Sequence, residues 1–293
     1  MNAIEMKGLT KFYGKARGIV GLDLAVSEGE FFGFIGPNGA GKSTTIRTLL
    51  GLIKGSGGSA RIFGKDIAAE KNGILMETGY MPSEALFYPG MRVGEVIRLS
   101  AGLRRKDCAV EADLLCRRLG LDTSKKVDQL SFGNRKKVSI VCALQHQPRL
   151  CILDEPTSGL DPLMQREFFE ILKERNARGA TIFLSSHVLS EIQRNCTRAA
   201  IIREGRLIAC GSVESLSKTS AKRVHVQGEL TVSTLTEVRD LQQTGSGASF
   251  LYGGDIQALL RVLSEQKITD LTISEPDLEE IFLHYYLDGG EET

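Results

Sequence analysis

Residues 36–44 read Gly-Pro-Asn-Gly-Ala-Gly-Lys-Ser-Thr and fit G-x-x-x-x-G-K-[ST] at every fixed position. The flanks agree with the loop. Before it, Glu30-Phe31-Phe32-Gly33-Phe34-Ile35 is a short apolar run that predicts a buried strand. After it, Ile46, Leu49, Leu50 and Ile53 recur at i, i+3, i+4 and i+7, the apolar face of a helix. A strand entering a glycine-rich loop and leaving as a helix is a unit of a parallel α/β sheet, so few other folds remain open. The chemistry follows from the backbone. Glycines let the chain wrap phosphate oxygens without side-chain clashes. The loop N–H groups and the helix start then supply oriented partial positive charge. Lys42 is placed to reach the β- and γ-phosphates, and the Ser43 hydroxyl to ligate Mg²⁺.

Composition supports a local rather than a global reading of this loop. Glycine makes up 32 of 293 residues, and ten of these fall within residues 29–64. At the usual rate of roughly 7%, such a window would carry about 2.5. Lys+Arg is 37 and Asp+Glu is 36, a net charge of +1. A chain selected for nucleic acid would carry a basic surplus, so no nucleic-acid partner is expected. A second element of a phosphate site lies downstream. Leu150-Cys151-Ile152-Leu153 is an apolar run that ends in Asp154-Glu155. Two carboxylates at the end of a buried strand are costly unless they have work there. Asp154 is expected to hold Mg²⁺, directly or through water, and Glu155 to act as general base on the attacking water.

These residues resemble the nucleotide-binding subunit of an ATP-binding cassette (ABC) transporter, and the motif order of that family runs once across residues 1 to about 215. Tyr13 stands where the family stacks an aromatic ring on adenine. Gly36, Asn38, Gly39, Gly41, Lys42, Ser43 and Thr44 form the phosphate loop. The signature LSGGQ corresponds to Leu130-Ser131-Phe132-Gly133-Asn134, followed by Arg135-Lys136-Lys137. Leu153 to Pro156 match LDEP, Ser158-Gly159-Leu160-Asp161 match the loop after it, and His187 matches the switch histidine. The resemblance implies ATP and Mg²⁺ as ligands. It assigns Ser131 and Gly133 to the γ-phosphate of an ATP held by a second nucleotide-binding subunit, so that two subunits face head to tail around two ATP. It makes His187 a γ-phosphate contact that steadies the water. On its own terms, too, a serine and a glycine at a helix start make an anion site, and Val138, Val141 and Leu144 carry that helix onward. Two departures stand out. Phe132 and Asn134 replace the usual Gly and Gln of the signature. Ser83, in Gly79-Tyr80-Met81-Pro82-Ser83-Glu84, holds the place of a Gln that touches Mg²⁺; either it acts through water or Glu84 takes part.

The implied fold class is an α/β P-loop NTPase of the ABC type with an inserted helical subdomain, plus a small C-terminal α+β domain. The expected boundaries are 1–215 for the ATPase domain, about 84–145 for the helical subdomain, and 222–293 for the accessory domain. Residues 84–128 read as helical. Residues 211–222, small and polar, read as a linker. Beyond it, residues 223–227 and 269–273 alternate like strands. Ile256, Leu259, Leu260 and Leu263 suit one helix, and Leu278, Ile281, Phe282 and Tyr285 another. His225 and His284 stand alone and read as structural. The six cysteines form no C-x-x-C pair, which argues for reduced thiols over a zinc site. No apolar run is long enough to cross a membrane, and the first residues do not read as a signal peptide. The ending Pro276-Asp277-Leu278-Glu279-Glu280-Ile281-Phe282-Leu283-His284-Tyr285-Tyr286 resembles that of ATPase subunits in antibiotic- and drug-exporter systems, and the resemblance implies ATP hydrolysis that drives a separate integral membrane permease, an exporter of the antibiotic or drug type. The subunit would lie peripherally at the cytoplasmic face of the membrane. A soluble ABC ATPase acting on ribosomes or DNA is the alternative, disfavoured by a single phosphate loop and the absence of sustained heptads.

Overall fold

A computed structural model describes residues 1–14, 16–217, 222–229, 235, 237–245 and 247–274. The helix expected over residues 278–285, with His284, lies outside the described residues. The chain divides into two compact units, Met1–Val213 and Glu214–Thr293.

In the first unit, β1 (Asn2–Tyr13) and β2 (Ala16–Ser27) precede β3 (Phe31–Ile35), which leads into α1 (Lys42–Leu49). Then come β4 (Gly57–Ile62), β5 (Lys65–Asp66), α2 (Lys71–Glu77) and β6 (Thr78–Met81). They are followed by α3 (Val93–Leu103), α4 (Ala109–Arg118) and α5 (Phe132–Leu144). β7 (Leu150–Asp154), α6 (Pro162–Ala177), β8 (Thr181–Ser186), α7 (Leu189–Asn195), β9 (Arg198–Arg203) and β10 (Arg206–Ser212) complete the unit.

The central sheet has the order β10-β9-β3-β8-β7-β6. It is parallel except for the edge pair of β9 with β10. Its inner strands are buried on both faces, which is why β3 and β7 read as unbroken apolar runs rather than as alternation. Phe183 of β8 stacks on Phe32 at 5.9 Å and lies 5.3 Å from Phe34. A second, antiparallel sheet has the order β2-β1-β4-β5. One continuous core joins Ile4, Met6 and Leu22 of that sheet to Ile46 and Leu49 of α1 and to Phe32, Phe34 and Phe183. Burying side chains of this size stabilises the fold by about 1.5–3 kcal/mol each. It also fixes α1, and with it the phosphate loop, against the end of β3.

Register settles where the chemistry goes. Ile35 pairs with Ser186, and Asp154 with Ser185, so β3, β7 and β8 end side by side. Met81 pairs with Leu153, which brings the end of β6 to the same edge. The loop after β3, the acids ending β7, the serines ending β8 and the Pro82-Ser83-Glu84 segment thus converge on one rim. Such a rim is where open α/β sheets bind ligands.

Two expectations change. Helix does not run through residues 84–128: α3 and α4 are separate, residues 84–92 are irregular, and only one 3₁₀ turn, Val127–Gln129, precedes α5. Pro89-Gly90 breaks the first stretch and Gly120 the second, with Gly90 at φ +82° and Gly120 at +59°. The polar segment 211–222 is not all linker either. Gly211 and Ser212 finish β10, and α8 (Val213–Ser217) follows at once. Strand pairing and the burial of Leu216 override the composition there.

The second unit holds β11 (Lys222–Glu229), β12 (Val238–Thr244), β13 (Gly247–Tyr252), α9 (Ile256–Ser264) and β14 (Lys267–Ser274). The sheet order is β12-β13-β11-β14, and Leu259 and Leu263 of α9 pack with Val224, Val226 and Phe250. The alternation around 223–227 and 269–273 and the helix at 256–263 are found where their patterns place them. His225 is exposed on β11.

Candidate active site

A cavity of about 460 Å³ opens at the rim of the central sheet. Its walls are loop residues 37–39 and 41–44, with Tyr13 and Gly18 at one end and Ser83, Glu84, Phe132, Glu155 and Ser158 at the other. Gly41 is the N-cap of α1 at φ +109°, and no side chain caps the helix start. A Cβ there would be strained and would also press on Ile19 at 3.0 Å. The uncapped N–H groups of the first turn therefore belong to the loop's concave side.

Lys42 is the organising cation. Its Nζ donates to the carbonyls of Gly36 at 2.6 Å and Pro37 at 3.1 Å, and it pairs with Glu155 Oε1 at 3.1 Å. The other oxygen, Glu155 Oε2, lies 3.3 Å from His187 Nδ1. Burial pushes the Glu155 carboxyl up, but the hydrogen bond and charge of Lys42, followed by those of His187, outweigh it and hold the group below the usual carboxylate range. Glu155 is thus ionised at neutral pH. Its backbone is unusual as well: φ is +47°, the left-handed region that non-glycine residues seldom occupy. The residue is held by the peptides on both sides of its Cα. The Glu155 N–H donates to Ser185 O at 3.1 Å and to Ser185 Oγ at 3.2 Å, and the Glu155 carbonyl accepts from Lys136 Nζ at 2.9 Å.

Asp154 lies beneath the cavity and is fully buried. Its Oδ1 accepts from Ser185 Oγ at 2.7 Å, and its Oδ2 has no hydrogen-bond partner among the described residues. Ser131 is the N-cap of α5 and accepts from Asn134 N at 3.3 Å. Neither Ser131 nor Gly133 lines the cavity, although Phe132 between them does. The expected residues therefore fall into three groups. Tyr13, Asn38, Gly39, Gly41, Lys42, Ser43, Thr44 and Glu155 meet in one cavity. Gly36, Asp154 and His187 adjoin it through Lys42, the end of β7 and Glu155. Ser131 and Gly133 stand apart at the head of α5.

Sequence reasoning misses two supports of this site. Ser185 reads only as part of a strand; its signal is a polar residue ending an otherwise apolar run. Lys136 reads as part of a basic helix start, yet it is fully buried. Spacing gives no clue to it, since its i, i+4 neighbour Phe132, whose ring lies 5.9 Å from Nζ, is itself exposed.

A parallel α/β sheet with this loop, a buried Asp and a paired Glu at its rim defines a nucleoside-triphosphate-hydrolysing domain. The family profile described as ABC transporter matches residues 19–158. The chain is similar to the bacitracin transport ATP-binding protein BcrA of Bacillus licheniformis, at 35% identity over 96% of each chain. It is also similar to the linearmycin resistance ATP-binding protein LnrL of Bacillus subtilis, at 29% identity over 96% of this chain and 97% of the relative. A solved ATP-binding subunit of an ABC transporter superposes with a TM-score of 0.69 at 33% identity, covering 73% of this chain and 91% of that one. A dimeric ATP-binding cassette bound to ADP and Pi shares the fold, with a TM-score of 0.66 at 23% identity over 72% of this chain and 98% of its own. The chain belongs to the ATP-binding subunits of ABC transporters. It is an ATPase whose hydrolysis of ATP drives transport, in partnership with a membrane permease and a second nucleotide-binding subunit. No helix among the described residues is long and apolar enough to cross a membrane.

Proposed function

We propose that this subunit powers export of an antibiotic or similar drug-like molecule, hydrolysing ATP at a rim site that a second subunit completes head to tail. The carrying observation is the chain Lys42–Glu155–His187 lining and bordering the phosphate-loop cavity. The relatives named for bacitracin transport and linearmycin resistance support the class of cargo. Residues 1–215 are the ATPase domain, with a helical subdomain at about 84–145, and residues 222–293 are an accessory domain. The subunit sits at the cytoplasmic face of the membrane, held by its permease.

Each residue has a role in this reading. Gly36, Asn38, Gly39, Gly41 and Thr44 cradle the phosphates with backbone and hydroxyl groups, and Tyr13 receives the adenine. Incoming phosphate competes with Glu155 for Lys42, which leaves the carboxylate to the water and to His187. Glu155, ionised and turned toward the water, orients and polarises it as the bond to phosphorus forms. His187 holds Glu155 and the γ-phosphate in one arrangement. Ser43 and Asp154 suit a Mg²⁺ ion: the unpartnered, fully buried Asp154 Oδ2 is a donor atom of the hard-oxygen kind that ion takes. When bound, Mg²⁺ would neutralise charge on the phosphates. Ser131 and Gly133 present the head of α5 to the ATP of the second subunit.

The test is Glu155→Gln in purified full-length protein. ATP binding persists, phosphate release falls by roughly 10²–10⁴, and ATP-dependent dimers last longer. Unchanged turnover removes Glu155 from the mechanism. Affinity purification from membranes recovers a polytopic membrane protein; recovery of ribosomes alone overturns the transport reading.

A further inference from the structure

Lys136 is fully buried on α5, one turn beyond the Ser131 cap. Burial pulls its ammonium below the usual lysine value, against the opposing charges of Asp154, Glu155 and Glu84. A lysine with no solvent access is an expensive way to fill space, and an apolar residue of like volume is often neutral or better. What the lysine gains here is directional. Its Nζ donates at 2.9 Å to the backbone carbonyl of Glu155, the residue whose left-handed φ aims the carboxylate at Lys42 and His187. The neighbouring Arg135 turns back to Leu130 O at 3.0 Å, within its own segment. Lys136 therefore ties the helix headed by Ser131 and Gly133 to the peptide of Glu155.

We propose that Lys136 is a positioning residue that couples the two ATP sites of the dimer through the body of a single subunit. The inference rests on the reading that the head of α5 serves the ATP of the second subunit. In that case Ser131 and Glu155 of one chain belong to different ATP sites, and the Lys136 bond spans them. A displacement of α5 on engaging phosphate at one site is passed to the Glu155 carbonyl at the other. Ser185 anchors the Glu155 N–H, in the peptide on the other side of its Cα, so the motion turns the carboxylate rather than carrying the whole segment along.

The experiment measures ATP hydrolysis against ATP concentration for the purified full chain, with Lys136→Met and Lys136→Gln beside it. With two coupled sites the wild-type Hill coefficient lies above ~1, with a ceiling of ~2, and for Lys136→Met it falls to ~1. Lys136→Gln keeps a donor without the charge and falls between. A Lys136→Met protein that turns over more slowly with its Hill coefficient unchanged shows a mere structural prop and overturns the proposal. Should Lys136→Met fail to fold, as judged by lost ATP binding, Lys136→Gln decides: a reduced coefficient supports the coupling, and an unchanged one overturns it. A wild-type chain that hydrolyses ATP without cooperativity overturns the coupling itself, whereas a chain that forms no dimer with ATP overturns the two-site reading beneath it.

Discussion

Ser185→Ala removes one hydroxyl and tests whether the rim depends on a buried carboxylate with a single donor. Asp154 is fully buried, accepts from Ser185 Oγ at 2.7 Å through Oδ1, and has no partner on Oδ2 among the described residues. The substitution therefore strips the carboxylate of the only side-chain donor it has among the described residues. A hydrogen bond to a charged group contributes about 1.5–3 kcal/mol, and a buried charge left without partners sits at the upper end. The Glu155 amide loses Ser185 Oγ but keeps Ser185 O at 3.1 Å, so little is added from that side. The expected loss is about 2–3 kcal/mol, or roughly 4–12 °C in Tm for a unit of this size. The assay is thermal unfolding of the full chain, following the transition that ATP displaces, which identifies the ATPase unit. A double-mutant cycle with Asp154→Asn isolates the pair. The asparagine amide supplies its own donor and carries no charge, so the two changes together cost less than their sum. A Tm within about 1 °C of wild type, or strict additivity, refutes the reasoning and shows Asp154 to be solvated by other means.

Three further outcomes follow from the geometry. Gly133→Ala puts a Cβ 2.5 Å from the carbonyl of Gly159, an overlap with backbone, while Gly102→Ala in α3 meets nothing within 4 Å. The first lowers ATP turnover at least tenfold, and the second raises stability by about 0.5–1 kcal/mol; phosphate-release and denaturation assays on the pair check both. Glu155 is held below the ordinary carboxyl value of 4.5, and it acts when deprotonated, so activity is present above its folded pKa and lost as pH falls through it. Corrected for the protonation of ATP, kcat/KM stays level from pH 7 to about pH 5, and a half-point near pH 6 assigns the limb to another group. His146 is buried, and burial followed by the charge of Arg104 lowers its pKa from 6.5 to about 4. The unfolded chain then binds more protons between those values, so stability falls as pH drops from 6.5 toward 4, by up to roughly 3 kcal/mol. His146→Gln flattens that acid-side slope in denaturation curves measured across the range, and an unchanged slope removes His146 as its source.

Much of the site is legible in the sequence because phosphate chemistry writes itself locally. Gly36 to Thr44 are contiguous, and the strand and helix around them share one segment of chain, so pattern alone locates β3 and α1. Asp154 and Glu155 are legible for a similar reason, as charge placed where a buried strand should stay apolar. What is illegible is what depends on neighbours in space. The pairing of Lys42 with Glu155 joins residues that follow separate strands. Ser185 matters only because β8 lies beside β7 in the register that sets it opposite Asp154. Lys136 looks like a solvated charge because helix period marks a face, and it takes the neighbouring strand ends to show that this face is interior. The long strands β1 and β2 go unread too, since their pairing carries several register shifts that blur the alternation.

The strand order has a consequence for how the active protein comes into being. Phe31 pairs with Ile182, and Leu150 with Thr181, so the rim closes only when segments far apart in the chain have met. Pairings of that kind carry the loop-closure cost that slows folding. No early fragment of the nascent chain holds both Lys42 and Glu155 in register, so nucleotide finds its full site only after β8 is seated between β3 and β7. ATP then acts on the finished state: it retards unfolding far more than it hastens folding, and the supply of nucleotide in a cell becomes part of this subunit's lifetime.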